Sequence, residues 1–136
     1  KNVLRIATQA DLEAIAGLEI LLFPENSINE QSLRRELCWS RATVYGTPAC
    51  GYLIARFGPG VIDILRVGVH PRFRRHGIAR ALMEEVLELA YMPVMLTVKK
   101  ENAPARALYA SLGFRPMALV PQAEALILLR ATSAPR

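Results

Sequence analysis

One stretch narrows the folds open to this chain of 136 residues: an apolar run, Val61 to His70, passes through a basic turn, Pro71 to His76, into a helical pattern that opens behind Gly77. That pattern carries Ile78, Leu82, Val86 and Leu89, an i, i+4, i+8, i+11 stripe that presses one helix face onto a sheet. The turn between them has a chemistry of its own. A helix start leaves about four backbone N–H groups unpaired and carries roughly half a positive charge from its aligned peptide dipoles. An anion satisfies both. Gly77 has no Cβ to hold a pyrophosphate away from the backbone, and Arg74, Arg75 and Arg80 add charge that does not titrate away. The segment therefore reads either as a phosphate cradle or as an ordinary strand-to-helix turn with a solvated arginine face. It is not one of the common nucleotide loops, because the chain contains no G-x-x-x-x-G-K-[ST] and no G-x-G-x-x-G.

The length fits one domain, residues 1–136, with a polar tail at 131–136. A formal net charge of +5 comes mainly from arginine, clustered between Arg66 and Arg80, and suits an anionic cofactor. It would equally suit nucleic acid, but the few aromatic residues are not interleaved with the arginines, so no nucleic-acid partner is expected. No run approaches the roughly 18 apolar residues of a membrane span, and no membrane partner is expected. Cys38 and Cys50 lack C-x-x-C spacing and read as free core thiols of a reducing cytoplasm, not as nucleophiles. His70 and His76 have no third ligand beside them, so no metal site is expected, and His76 sits where it can help bind phosphate. A strand-like run begins directly after Lys1 and no signal or transit peptide is read within the chain, so the cytoplasm is the expected location.

Along the chain, Val3 to Ala7 reads as a strand, and Thr8 with Asp11 as a capping-box start for a helix carrying Leu12, Ile15, Leu18 and Leu22. Pro24 ends it; Ser27 with Glu30 offers a second capping box, before Leu33 and Leu37. A short strand ending at Val44 and Tyr45 turns at Gly46-Thr47-Pro48 into Cys50 to Phe57, and Gly58-Pro59-Gly60 turns again into Val61 to His70. After the helix behind Gly77, Pro93 marks an end and Val94 to Val98 a buried strand. Asn102 is an N-cap candidate, with Pro104 in the first turn and Gly113 at the end of the last helix. Phe114 to Val120 and Ala125 to Arg130 are the final strands.

Two motifs in this order and setting resemble the signatures of the GNAT acyltransferase superfamily. Val67-Gly68-Val69 followed by Arg74-Arg75-His76-Gly77-Ile78-Ala79 is similar to its acetyl-CoA signature, V-x-V, a short gap, then R-x-x-G-x-A. Asn102 to Phe114 is similar to its second signature, N-x-x-A-x-x-L-Y-x-x-L-G-F. The element order is the family's as well, so the resemblance covers nearly the whole chain. It implies an α/β molecule with a mixed, mostly antiparallel central sheet, helices on both faces, and two central parallel strands, Val61 to His70 and Val94 to Val98, splayed at their C-terminal ends around the cofactor. It further implies a strand bulge at Val67, Gly68 and Val69 whose N–H groups bond the pantetheine and thioester. Arg74, Arg75, His76, Gly77, Ile78, Ala79 and Arg80 would hold the pyrophosphate, with Asn102 and Arg106 also on the cofactor, and Tyr109 would be the general acid toward the departing thiolate. Packing within its own helix is the alternative role for Tyr109.

Phe23-Pro24 and Leu96-Thr97-Val98-Lys99 bring the resemblance nearest to ribosomal-protein N-terminal alanine acetyltransferases. Two departures stand out. That subgroup has glutamate as general base where this chain has Thr97, whose hydroxyl takes no proton near neutral pH, and the loop Val120 to Glu124 lacks the subgroup's peptide-holding tyrosines. Asp63, before the signature, is the replacement base acting through water, or else a strand residue paired with Arg56; Glu25 is a second candidate, for substrate contact. The expectation is an acetyl-CoA-dependent N-acetyltransferase that acts by direct attack of a primary amine, of a protein N-terminus, a peptide or a small molecule, as monomer or homodimer. A non-catalytic acyl-CoA-binding or regulatory domain is the alternative that Thr97 leaves open.

Overall fold

The structure, a computed structural model, describes residues 3–132; Lys1, Asn2 and residues 133–136 of the expected polar tail lie outside the described residues. The chain opens with β1 (Leu4–Ile6) and enters α1 (Leu12–Leu22) through a short 3-10 turn. Asp11 organises that entry: its carboxylate accepts from the Thr8 N–H at 2.8 Å, as the spacing predicts, and from the Arg5 guanidinium at 2.8 and 2.9 Å. α1 stops at Phe23, since the residue before a proline is driven out of helical geometry.

The next helix, α2 (Glu30–Glu36), is capped two residues beyond the expected Ser27. Asn29 is the cap instead, its Oδ1 accepting from the Ser32 N–H at 2.8 Å. Upstream, the Ile28 N–H donates to the Glu19 carboxylate at 2.9 Å. Three antiparallel strands follow, β2 (Ser40–Tyr45), β3 (Gly51–Phe57) and β4 (Ile62–Val69). α3 (Ile78–Leu89), β5 (Val94–Lys99), α4 (Ala103–Ser111), β6 (Arg115–Val120) and β7 (Ala125–Arg130) complete the fold.

The sheet order is β1-β2-β3-β4-β5-β7-β6, and β4 with β5 is its one parallel pair. Helices cover both faces. Leu53, Ile64, Leu96 and Val98 pack with Leu82 and Val86 of α3, while Val44, Tyr52 and Ile54 pack with Leu12, Ile15 and Leu33 beneath α1 and α2. β3 therefore faces a core on each side, which is why it reads as a nearly continuous apolar run. In α3 the stripe holds at Ile78, Leu82 and Val86, but Leu89 closes the helix and stays 45% exposed, and Met83 is the further buried residue.

Two irregularities shape the centre. β4 and β5 pair only over Ile62–Ile64 and Val94–Leu96, and beyond those residues they part. The bulge lies at that point, not at Val67 to Val69 as expected: Arg66 opposes Ile54 and Ile64 opposes Ala55, so Leu65 is the extra residue. Gly68 has a different reason to be glycine. It sits in regular register with Tyr52, and a Cβ there would lie 2.8 Å from both Leu22 Cδ1 and the Tyr52 ring.

Candidate active site

Where β4 and β5 part, a cleft of about 890 Å³ opens across the C-terminal ends of both strands. One wall is the exit of α1, Phe23 to Asn26; the floor includes Val67 and Thr97; the far wall carries Asn102 and Tyr109 from α4. Of the residues singled out from the sequence, Val67, Thr97, Asn102, Tyr109 and Glu25 are thus brought together. Beyond Ile64, the edge of β4 that faced β5 has no strand partner, so its N–H groups are available to a ligand lying in the gap.

The basic turn stands where β4 leaves the sheet. Gly77 is the α3 cap at φ 76°, a left-handed conformation that glycine adopts without strain, and Arg75 shares that region at φ 67°. A Cβ built on Gly77 would meet nothing within 4 Å, so the space in front of the helix start is open. The amides of residues 75–80 donate to no acceptor among the described residues, and neither do the guanidinium groups of Arg74 and Arg75. That is a fit for a diphosphate: aligned N–H donors, a helix dipole and two free cations around empty space. His76 donates from Nδ1 to the Phe73 carbonyl at 3.0 Å, which turns its other nitrogen outward. Arg80 and Arg106 are committed to the protein. Arg80 donates to Ser111 Oγ at 2.7 Å and so ties α3 to α4, and Arg106 donates to the Lys100 carbonyl at 2.8 Å. Asn102 caps α4, its Oδ1 accepting from the Ala105 N–H at 3.2 Å, and keeps its NH₂ for the cleft.

Tyr109 packs its ring against Phe114, centroids 5.9 Å apart, and its hydroxyl takes part in no hydrogen bond among the described residues. Burial pushes this phenol above the ordinary tyrosine value, so it holds its proton throughout the physiological range. Asp63 is not part of the cleft wall: it lies in the stretch still paired with β5, opposite Met95, short of the point where the strands part. It stands directly opposite Arg56 in the β3–β4 register but forms no ion pair with it among the described residues, since the Arg56 guanidinium reaches Glu36 at 2.7 Å. The carboxylate that does line the cleft is Glu25. Cys38 and Cys50 are free and lie outside it. No cluster of three metal-capable side chains occurs among the described residues, and none of their helices is long and apolar enough to cross a membrane.

A sheet parted between its parallel strands, with an open helix start beside two unpaired guanidinium groups where β4 leaves the sheet and a protonated phenol in the cleft wall, suits a transferase that draws a group from a long phosphorylated carrier. The comparisons agree. Residues 10–114 match the acetyltransferase (GNAT) family. The N-alpha-acetyltransferase RimI of Mycobacterium tuberculosis is 33% identical over 122 residues, 82% of this chain and 77% of the relative. Ard1 from Thermoplasma volcanium superposes with a TM-score of 0.84 at 21% identity, over 96% of this chain and 97% of that one. The ribosomal-protein-S18-alanine N-acetyltransferase from Escherichia coli does so with a TM-score of 0.81 at 20% identity, over 98% and 95%. The chain belongs to the GNAT acetyltransferase family and is an acetyl-CoA-dependent N-acetyltransferase.

Proposed function

We propose that this enzyme acetylates the α-amine at the N-terminus of a protein or peptide, by direct attack and without a covalent enzyme intermediate. The observation that carries the reading is the continuity of the cleft: donor edge of β4, Asn102 and Tyr109 on one side, the Phe23 to Asn26 loop on the other. The relative from Mycobacterium tuberculosis, an N-alpha-acetyltransferase by name, supports an α-amine over other amines.

Acetyl-CoA, when bound, supplies an activated acyl carbon and a thiolate leaving group. The chain's own groups do the rest. The turn at residues 74–79 holds the pyrophosphate, and the unpaired edge of β4 from Val67 to Val69 orients the carrier and draws charge from the carbonyl oxygen. Tyr109 gives its hydroxyl proton to the departing sulfur. The amine must arrive neutral, and Glu25 is the cleft carboxylate that can take its proton, directly or through water. Thr97 in the floor does neither; its hydroxyl holds a position or a water. We place the protein in the cytoplasm on the strength of its two free thiols.

The test is calorimetric titration with acetyl-CoA, followed by thiol release over a panel of peptides with different first residues and of small primary amines. Binding, with release fastest on peptides, is expected. Release confined to small amines removes the N-terminal reading, and binding with no release on any member leaves only a CoA-binding domain.

A further inference from the structure

We propose that Arg66 is a positioning residue for the acceptor side of the cleft: clamped on the buried Glu19, it fixes the loop from Phe23 to Asn26 and with it Glu25. This rests on the acyl-transfer reading above. Glu19 lies in α1 and is fully buried, an arrangement that persists only when a carboxylate is fully bonded. Its Oε1 accepts from the Ile28 N–H at 2.9 Å and from Arg66 Nη2 at 2.8 Å; its Oε2 accepts from Arg66 Nε at 2.9 Å and from the Tyr52 hydroxyl. The same guanidinium donates to the Asn26 carbonyl at 2.9 Å and stacks over the Phe23 ring, 4.0 Å from its centroid. One planar group thus grips both ends of the loop, and Pro24 and Glu25 are the residues between.

Apolar contact alone has no direction and would let such a loop slide, whereas a two-pronged bond to a carboxylate fixes orientation as well as distance. The clamp reaches the loop because of the bulge. Ile62 and Ile64 face the α3 core, and strict alternation would send Arg66 there too; the extra residue at Leu65 turns Arg66 to the α1 face, opposite Ile54. The irregularity that frees the donor edge of β4 therefore also delivers the clamp to the acceptor wall.

Three variants test this: Arg66→Lys, Arg66→Met, and Arg66→Met with Glu19→Gln, which removes the lone charge left by Arg66→Met should that charge prevent folding, keeps an oxygen for the Ile28 N–H and offers the Tyr52 hydroxyl oxygen an NH₂ donor. Each is measured for acetyl-CoA affinity by calorimetry, for amide hydrogen exchange at Asn26 and Ile28, and for kcat and KM on the amine from the panel that wild type uses best, beginning with an alanine-initiated peptide. In the double variant, acetyl-CoA affinity should stay within about twofold while KM for the amine rises about tenfold or more and exchange quickens only around the loop. Arg66→Lys, one charge without the fork, should fall between. A loosened loop with unchanged KM makes the clamp merely structural and overturns the proposal, as does an equal loss of acetyl-CoA affinity. If wild type binds acetyl-CoA but releases no thiol on any amine, the transfer reading fails first and this inference with it.

Discussion

The proposed role of Tyr109 as the acid rests on its surroundings. Buried against Phe114 and raised above the ordinary tyrosine value, it keeps its proton until well into the alkaline range, where a general acid facing a thiolate can still deliver it. Tyr109→Phe should lower kcat by roughly 10²-fold with acetyl-CoA affinity nearly unchanged. In wild type, any fall in kcat due to this group should come above the usual tyrosine range; equal turnover in mutant and wild type rejects the role. Gly68→Ala tests packing instead, since a Cβ must displace the fully buried Tyr52 ring and Leu22. A loss of about 1–3 kcal/mol by urea unfolding is expected. The place of Tyr109 in the cleft wall was legible because the residue stands in a dense motif. Glu19 was not, although a signal existed: Leu12, Ile15, Glu19 and Leu22 fall on one helical stripe, and a carboxylate on an apolar stripe implies a buried cation partner.

At the level of elements, capping and turn chemistry were readable and sheet irregularity was not. Thr8 with Asp11 and the strand Ala125–Arg130 stand where the local pattern puts them, because adjacent residues decide them. The bulge at Leu65 depends on pairing between separate strands, so nothing local announces it, and Ser27 and Asn29 are both residue types that cap helices, so the local pattern does not choose between them. The entry to α1 gives a pH prediction. The Arg5 guanidinium, with the Thr8 N–H, holds the Asp11 carboxyl below its ordinary range, so its stabilisation is present above the ordinary value and is lost as pH falls through the native one. Wild type and Asp11→Asn should differ in urea midpoint at pH 7 and converge on acidification below the usual aspartate range; a constant gap would show that the charge is irrelevant. For the basic turn, Arg74→Ala with Arg75→Ala should weaken acetyl-CoA binding by about tenfold or more, with a smaller dependence on salt than wild type has. Unchanged affinity would return that turn to a solvated arginine face.

For the whole molecule, the sheet separates a face covered by α3 and α4 from a face covered by α1 and α2, with β3 packed on both, and the β4–β5 pair parts beyond its first three residue pairs. A ligand spanning that gap replaces the pairing the sheet lacks, so binding should be read out as stability. With acetyl-CoA at about 100 times its dissociation constant, the native state gains about 2.7 kcal/mol, enough to raise the unfolding midpoint of a chain this size by roughly 10 °C. The gain should be localised. Amides of Val67 and Val69 and of residues 75–80, which have donors to spare, should exchange more slowly in the complex, while β1 and β2, paired to each other at the far edge, should not change. Uniform protection would mean that acetyl-CoA only stabilises the fold globally; protection at the turn without β4 would mean a diphosphate held at the helix start while the acyl arm lies outside the sheet, and the cleft would lose its place in the reaction.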